Sequence, residues 1–468
     1  MPFYGISVTP IISALDFKFN QQRSVVHQVW LADDATGAGK LENLKIWWEF
    51  LIKEGERFGY YVKPSKSWLI LKNPEKIREA EEMFNEGSPI NITTSGKRHL
   101  GAALGSDEFK QAYIDEKVKI WCDRLKRLSE IAKSQPHVAY AAYIHGEQHR
   151  YTYFTRTIID IGSNLQPIDE TIENEFLPAL FGRDISAQER EVLSLPVKEG
   201  GLGIRRIHEK SMQSYSTSRK IMSPLINQIK KQSSLLPDEE EVKEARSNVM
   251  MNVREMERLE VEQIKNKQTP EMQRSLDLLS EPGASSWLSA LPIAAQGFDL
   301  SKGEFQDSLC LRYNMPIRNL PETCPCTKKF SVTHALNCHK GGFVNARHDS
   351  LRNMECKLLN VVCRDVECEP PLHKIEENQK ATYKKSAIVK DDARLDIRAR
   401  GFWRDGQNAF FDVRVTNVDS ESQRNTKVAT ILKQHEDEKK RNYNKRVMEV
   451  EHGTLTPLVF TTTGVYIV

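Results

Sequence analysis

Cys324-Pro325-Cys326, then His334 after seven residues and Cys338 after three more, put four soft or borderline ligands inside fifteen residues. That is enough for a tetrahedral zinc site, and a segment meeting it must fold as a short loop closed around one point. His339 and His348 stand close enough to replace a ligand, and packing alone would permit a set of reduced, buried cysteines instead. Of the eight cysteines only Cys122 lies outside 310–368. So uneven a spread reads as a local metal site in a reducing compartment and not as a disulfide framework.

The rest of the chain is too long for one such module. At 468 residues it has room for about three domains of roughly 150 residues each, every one able to bury a core. Sixty-seven basic against 64 acidic residues leave a formal charge of +3, too mild to decide for or against nucleic acid, since basic faces and acidic sites average out. No run of about 18 apolar residues occurs, and the first residues lack the basic-then-apolar order of a secretion signal. The expectation is a soluble, intracellular protein, nuclear or cytoplasmic, with no membrane partner.

Hydrophobic periodicity predicts an α+β multidomain chain. Residues 1–105 read as an apolar helix, a strand near His27–Ala32, a helix over Leu41–Phe58, and strands near Tyr60–Val62 and Ser67–Leu71. Residues 106–222 read as helical, broken by Leu195-Pro196 and by Gly200-Gly201-Leu202-Gly203, a tight turn. Residues 223–285 are charged and poor in aromatics, an exposed helical linker or a partly disordered one. Residues 286–346 carry the cysteine cluster, and 347–468 read as a helix, a strand hairpin, a long basic helix and a last strand.

Two places concentrate carboxylates. Asp33 and Asp34 lie between a strand-like run and the turn-like Thr36-Gly37-Ala38-Gly39; at a hairpin tip such a pair can hold divalent metal against phosphates, although alone it is more often a solvated turn. Farther on, ARLDIRARGFWRDGQNAFFDVRVTN reads as two strands around a turn at Gly401–Gly406. A side-chain period of two puts Arg394, Asp396 and Arg398 on one face of the first strand, and Asp412, Arg414 and Thr416 on one face of the second. Leu395, Ile397, Phe411, Val413 and Val415 fall on the opposite faces, so one face goes to a core and the acidic one stays free to bind metal. Downstream, Glu436, Lys440, Tyr443 and Val447 share a helical face.

Taken with their order, these motifs resemble the C-terminal part of a non-LTR retrotransposon reverse transcriptase. VHQVWLADDATGAG, Gly59 to Ser67 and Ser95-Gly96-Lys97-Arg98-His99-Leu100-Gly101 look like a polymerase palm from its Asp-Asp motif onward; FLPALFG at 176–182 and LP with GGLGI at 195–204 look like its thumb. The cluster with FSVTHALNCHKGGFVNARHDSLRN, including Arg347-His348, looks like a Cys-Cys-His-Cys knuckle, and the run from Asp392 to Gly464 like a PD-(D/E)xK restriction-like endonuclease. The resemblance implies magnesium at Asp33 and Asp34, Lys66 near the incoming nucleotide, and Leu100-Gly101 as primer grip. It implies that the knuckle holds zinc and that Arg347 and His348 lie where nucleic acid binds. Asp396 and Asp412 would hold magnesium in a second centre, with Arg414 stabilising charge and Glu436 and Lys440 as further catalytic candidates.

Such a protein nicks target DNA and extends the new 3′ end on its own RNA, so DNA and RNA are the implied partners. The pattern departs in places. Leu31 stands where an aromatic is usual, Leu395 replaces the proline and Arg414 the lysine of the nuclease motif, and Val465–Val468 diverge. The family's first catalytic aspartate has no counterpart, so the expectation is that this chain alone does not synthesise DNA. The alternative is a decayed or domesticated protein that binds nucleic acid without catalysis.

Overall fold

The computed structural model describes residues 2–21, 26–85, 89–233, 238–376, 380, 383 and 392–467. The fold is mixed α+β, and its contacts group into two units, Met1–Arg190 with Arg205–Ile264, and Glu191–Ile204 with Lys265–Val468.

In the first unit α1 (Pro2–Gln21) carries Val8, Ile11, Leu15 and Phe19 at steps of three and four, which makes one apolar face. A hairpin of β1 (His27–Leu31) and β2 (Asp34–Ala38) follows, then α2 (Leu41–Arg57), whose Trp47, Trp48 and Leu51 close a core with that face. Two small two-stranded sheets come next. β3 (Trp68–Ile70) runs parallel to β4 (Asn91–Thr93), with α3 (Ile77–Phe84) between them in sequence, and β5 (Gly96–His99) forms a hairpin with β6 (Ala102–Gly105). Tyr60–Val62, expected as a strand, has no strand partner. Gly59, in the left-handed region, has just ended α2, Pro64 lies two residues on, and Tyr60 instead sets its ring edge-on against Trp30.

The helical expectation holds from Asp107 onward. α4 (Asp107–Ala132), capped by Ser106, buries Ile114, Val118, Trp121, Leu125, Ser129 and Ala132 at the same steps of three and four, against α5 (Pro136–Ala142), α6 (Gln148–Thr157), α7 (Gly162–Thr171) and α8 (Leu177–Phe181). After α9 (Ala187–Ser194), α10 (Ile207–Ile221) begins on a borrowed cap, because buried Asp169 accepts hydrogen bonds from the backbone N–H groups of Ile207 at 3.0 Å and His208 at 2.9 Å. The charged stretch is helical: α11 (Ser223–Lys231) and the 28-residue α12 (Glu239–Asn266), whose Glu257 and Glu260 pair with Arg205 and Lys210 at the start of α10.

In the second unit the glycine-rich turn is packed, not exposed. Gly200 has φ +89°, and a Cβ on Gly201 would lie 2.0 Å from the Leu195 carbonyl oxygen. The Gly200 carbonyl accepts hydrogen bonds from buried Arg312 at 3.0 Å and from the Tyr313 hydroxyl at 3.1 Å. Arg312 ends α14 (Lys302–Arg312), which follows α13 (Pro270–Leu279). Then come α15 (Val332–Asn337), α16 (Phe343–Val362), β7 (Arg364–Cys368), β8 (Ile397–Arg400), β9 (Asn408–Thr416), α17 (Val428–Glu449), β10 (Thr454–Thr461) and β11 (Tyr466–Ile467).

These strands form one sheet in the order β11-β10-β9-β8-β7; β9 and β10 are parallel, joined by the α17 crossover, and the other pairs are antiparallel. α16 covers one face, its Cys356 and Leu359 packing with Ile397, Phe411, Val413 and Leu458; α17 covers the other through Ile431, Leu432 and Val447. β9 is therefore buried on both faces, as a parallel strand under a crossover helix must be, and the acidic face expected to stand free lies under α17. Leu395 and Ile397 also separate, into the α17-side and α16-side clusters, because the chain bends at Asp396 just before β8. The divergent tail supplies β11, with Tyr466 beside Phe460. Cys356 and Cys368 form a disulfide, which the cysteine spacing did not suggest. Among the described residues no helix is long and apolar enough to cross a membrane.

Candidate functional site

The cysteine cluster folds as its spacing requires. A bridge between Thr323 and Lys329 closes a tight loop, with Cys324 N donating to Lys328 O at 2.9 Å and Thr327 N to Cys324 O at 2.8 Å. This brings Cys324 and Cys326 together, and α15, capped by Ser331, returns His334 and Cys338 to them. The four ligand atoms lie within 4.8 Å of one another. Zinc–sulfur bonds of about 2.3 Å in a tetrahedron place two sulfurs about 3.8 Å apart; Cys324 Sγ and Cys338 Sγ are 3.7 Å apart, and Cys326 Sγ is 3.1 Å from His334 Nε2. A hydrogen bond from the Lys328 backbone, partly opposed by burial, lowers the Cys326 thiol to about 7, favouring the thiolate that zinc needs. The cluster can bind zinc, with Cys324, Cys326, His334 and Cys338 as the four ligands.

The second centre lies where β8 and β9 meet. Asp396 Oδ2 accepts from Val413 N at 2.6 Å and from His348 Nε2 at 3.3 Å. Asp412, on β9, is close enough to Asp396 for their charges to act on each other, and it pairs with Lys439 of α17, Nζ to Oδ2 2.7 Å. Burial pushes the Asp412 carboxyl up to about 6, with Lys439 opposing and the neighbouring Asp396 charge adding. Burial also opposes ionisation of Asp396, but the hydrogen bond and charge of His348, with the Val413 N–H, hold its pKa below the ordinary value. His348 is raised to about 9, chiefly by its hydrogen bond to Asp396. At neutral pH it is an imidazolium donating to both Asp396 and Asp349.

Of the residues singled out in the sequence, Asp396 and Asp412 come together, and His348 joins them. Arg414 turns toward Glu438, 3.5 Å away, where His435 also reaches at 3.4 Å. Glu436 and Lys440 pair with each other, and Lys433 pairs with Glu436 at 2.9 Å. The lysine that meets Asp412 is thus Lys439, one position before the one expected. Its signal was in the sequence: Ile431, His435, Lys439, Tyr443 and Val447 recur at steps of four and form the stripe facing the sheet. Arg347, beside His348, is half-buried, its Nε has no hydrogen-bond partner among the described residues, and burial lowers its pKa.

In the first unit Asp33 and Asp34 sit exposed at the β1–β2 turn, where Leu31 pairs with Asp34. Tyr60 donates its hydroxyl to Asp33 O at 3.0 Å. Leu100 and Gly101 are the two-residue tip of the β5–β6 hairpin, both at positive φ, as a type I′ turn requires. Tyr153 and Tyr113 donate to their carbonyls at 2.5 and 3.2 Å, and His99 Nε2 lies 3.1 Å from Thr36 Oγ1, which links the two hairpins. Lys66 is exposed at the end of a short 3₁₀ turn, Pro64–Lys66.

No protein-family profile matches the chain, and no curated protein does. The functional reading therefore rests on the residues and their geometry.

Proposed function

We propose that this chain is the C-terminal part of a retrotransposon-type RNA-directed DNA polymerase and that its second unit is a magnesium-dependent endonuclease that nicks DNA. The observation that carries the reading is the carboxylate pair: Asp396, at the bend before β8, and Asp412, on β9, act on each other beside Lys439. Two neighbouring carboxylates, one of them raised in pKa by burial and by the other's charge, fit a divalent cation. Magnesium held by Asp396 and Asp412 would supply Lewis-acid stabilisation and an acidified water.

The chain's own residues do the rest. Val413 N and His348 fix one oxygen of Asp396, which leaves the other for a cation. Lys439, tethered by Asp412, presents its ammonium beside the pair, where it can stabilise charge growing on a phosphate. Arg414, turned to Glu438, stands outside the pair, and Lys439 takes the charge-stabilising place. The knuckle would hold nucleic acid near the site without taking part in the chemistry.

For the first unit the same reading assigns Asp33 and Asp34 to metal, Lys66 to the vicinity of the nucleotide and the Leu100-Gly101 tip to the primer strand. The Thr36–His99 contact supports it by joining the two hairpins such a role would need side by side. Nicking would supply the 3′ end that the parent protein extends on its RNA.

The test is incubation of the full, zinc-loaded chain with supercoiled plasmid over a magnesium series. Relaxed circles that need magnesium and are lost in Asp396→Ala support the nuclease. Salt-sensitive DNA binding with no relaxation at any magnesium concentration would replace it with a binding protein that has no catalysis.

A further inference from the structure

The nuclease reading takes the carboxylate pair as a metal site; the inference here rests on that reading and concerns what sets its geometry. Helix α16 starts at Phe343, five residues after Cys338, and its N-cap, Gly342, is left-handed and offers no side-chain cap. Its first-turn N–H groups therefore lack the satisfaction a serine or aspartate would give. The knuckle holds that end instead: Phe343 packs edge-on against Phe330, ring centroids 5.8 Å apart, and a Cβ on Gly341 would lie 3.3 Å from Cys324 Sγ. His348 follows in the second turn, about 7.5 Å along the axis from Phe343 at 1.5 Å per residue. From there it donates to Asp396 Oδ2, while Arg352, one turn later, pairs with Asp349 at 3.2 Å and with Glu369 just after β7.

We propose that the knuckle orients the carboxylate pair through α16, with His348 as the positioning residue that holds Asp396 for the divalent cation. His348 does not touch the reacting atoms; it acts through Asp396. Among the described residues Val413 N and His348 are the donors to Asp396 Oδ2, so removing the imidazole leaves that oxygen the Val413 hydrogen bond to turn about. Partners of metal ligands placed in this way are typically worth about 10- to 100-fold in metal affinity.

Calorimetric titration of the full chain with Mn²⁺ tests this, with zinc content measured on every sample. Wild type is expected to show a Mn²⁺ site that Asp412→Asn removes. His348→Ala should weaken that site about tenfold with zinc content unchanged, and His348→Gln, which keeps a donor, should recover most of the loss. Phe330→Ala, which spares all four zinc ligands but cuts the contact to α16, should weaken Mn²⁺ in the same direction. The double variant should lose no more than His348→Ala alone, because both act along one path.

Wild-type Mn²⁺ affinity in His348→Ala would overturn this inference and leave the nuclease reading standing. Unchanged affinity in Phe330→Ala, or full additivity of the two substitutions, would overturn the link to the knuckle. A wild-type chain with no Asp412-dependent Mn²⁺ site would remove the metal reading and this inference together.

Discussion

Asp412→Asn should make the second unit more stable while removing its proposed chemistry. Burial and the neighbouring Asp396 raise the Asp412 pKa from its ordinary 3.8 to about 6. A carboxyl whose folded pKa lies above its unfolded one gives stability that is complete below about pH 4 and lost as pH rises through about 6. At 1.36 kcal/mol per unit, the ionised group costs the metal-free fold about 3 kcal/mol at pH 7. Asparagine copies the protonated carboxyl at every pH and so avoids that cost.

Hydrogen exchange of peptides from β9, in magnesium-free buffer with zinc retained, reads the effect where it arises. At pH 7.5 the variant should be protected about a hundredfold more than wild type, the factor corresponding to about 3 kcal/mol, and the difference should shrink toward pH 4. Added magnesium should stabilise wild type by mass action and leave the variant unchanged. Protection equal to or below wild type at pH 7.5 would refute the argument, because Asp412 would then be held as a satisfied carboxylate.

Other consequences follow from particular contacts. Lys439→Ala should reduce nicking tenfold or more, since it leaves Asp412 without its ammonium, whereas Lys440→Ala should change the rate less than twofold; both are read from plasmid relaxation time courses. Metal analysis should find one zinc per chain, falling toward zero in Cys338→Ser, and that variant should open earlier than wild type in hydrogen exchange over residues 320–346. Gly201→Ala drives a Cβ to 2.0 Å from the Leu195 carbonyl, so the turn must break, and denaturation of the second unit should shift by about 3 kcal/mol or more. Asp33→Ala with Asp34→Ala should leave nicking as it is, because that pair belongs to the other unit.

Much of the architecture was legible where one signal dominated. The cysteine spacing found all four ligand positions, because four ligands in so short a segment have few ways to meet. The apolar steps of α1 and α4 and the alternation in FFDVRVTN gave helices and a strand at the expected places. Faces were harder. Periodicity said that β9 has two faces, but not that α17 would cover the acidic one, since a crossover helix is fixed by the parallel pairing of β9 with β10, a contact between segments about 45 residues apart. The same cover decides between Lys439 and Lys440: one helical residue is about 100° of rotation, and charge alone cannot say which lysine faces inward. His348 read as a residue of the knuckle's flank, and only the approach of α16 to the bend at Asp396 shows it as a partner of the carboxylates.

The measurement that tests the central claim most directly is magnesium-dependent nicking of supercoiled plasmid by full-length Asp412→Asn beside wild type, both zinc-loaded. The account predicts relaxed circles from wild type and none from the variant, even though the variant's fold is the more stable. Nicking by the variant at the wild-type rate would contradict it, because a carboxylate that holds the catalytic cation cannot be exchanged for an amide without consequence.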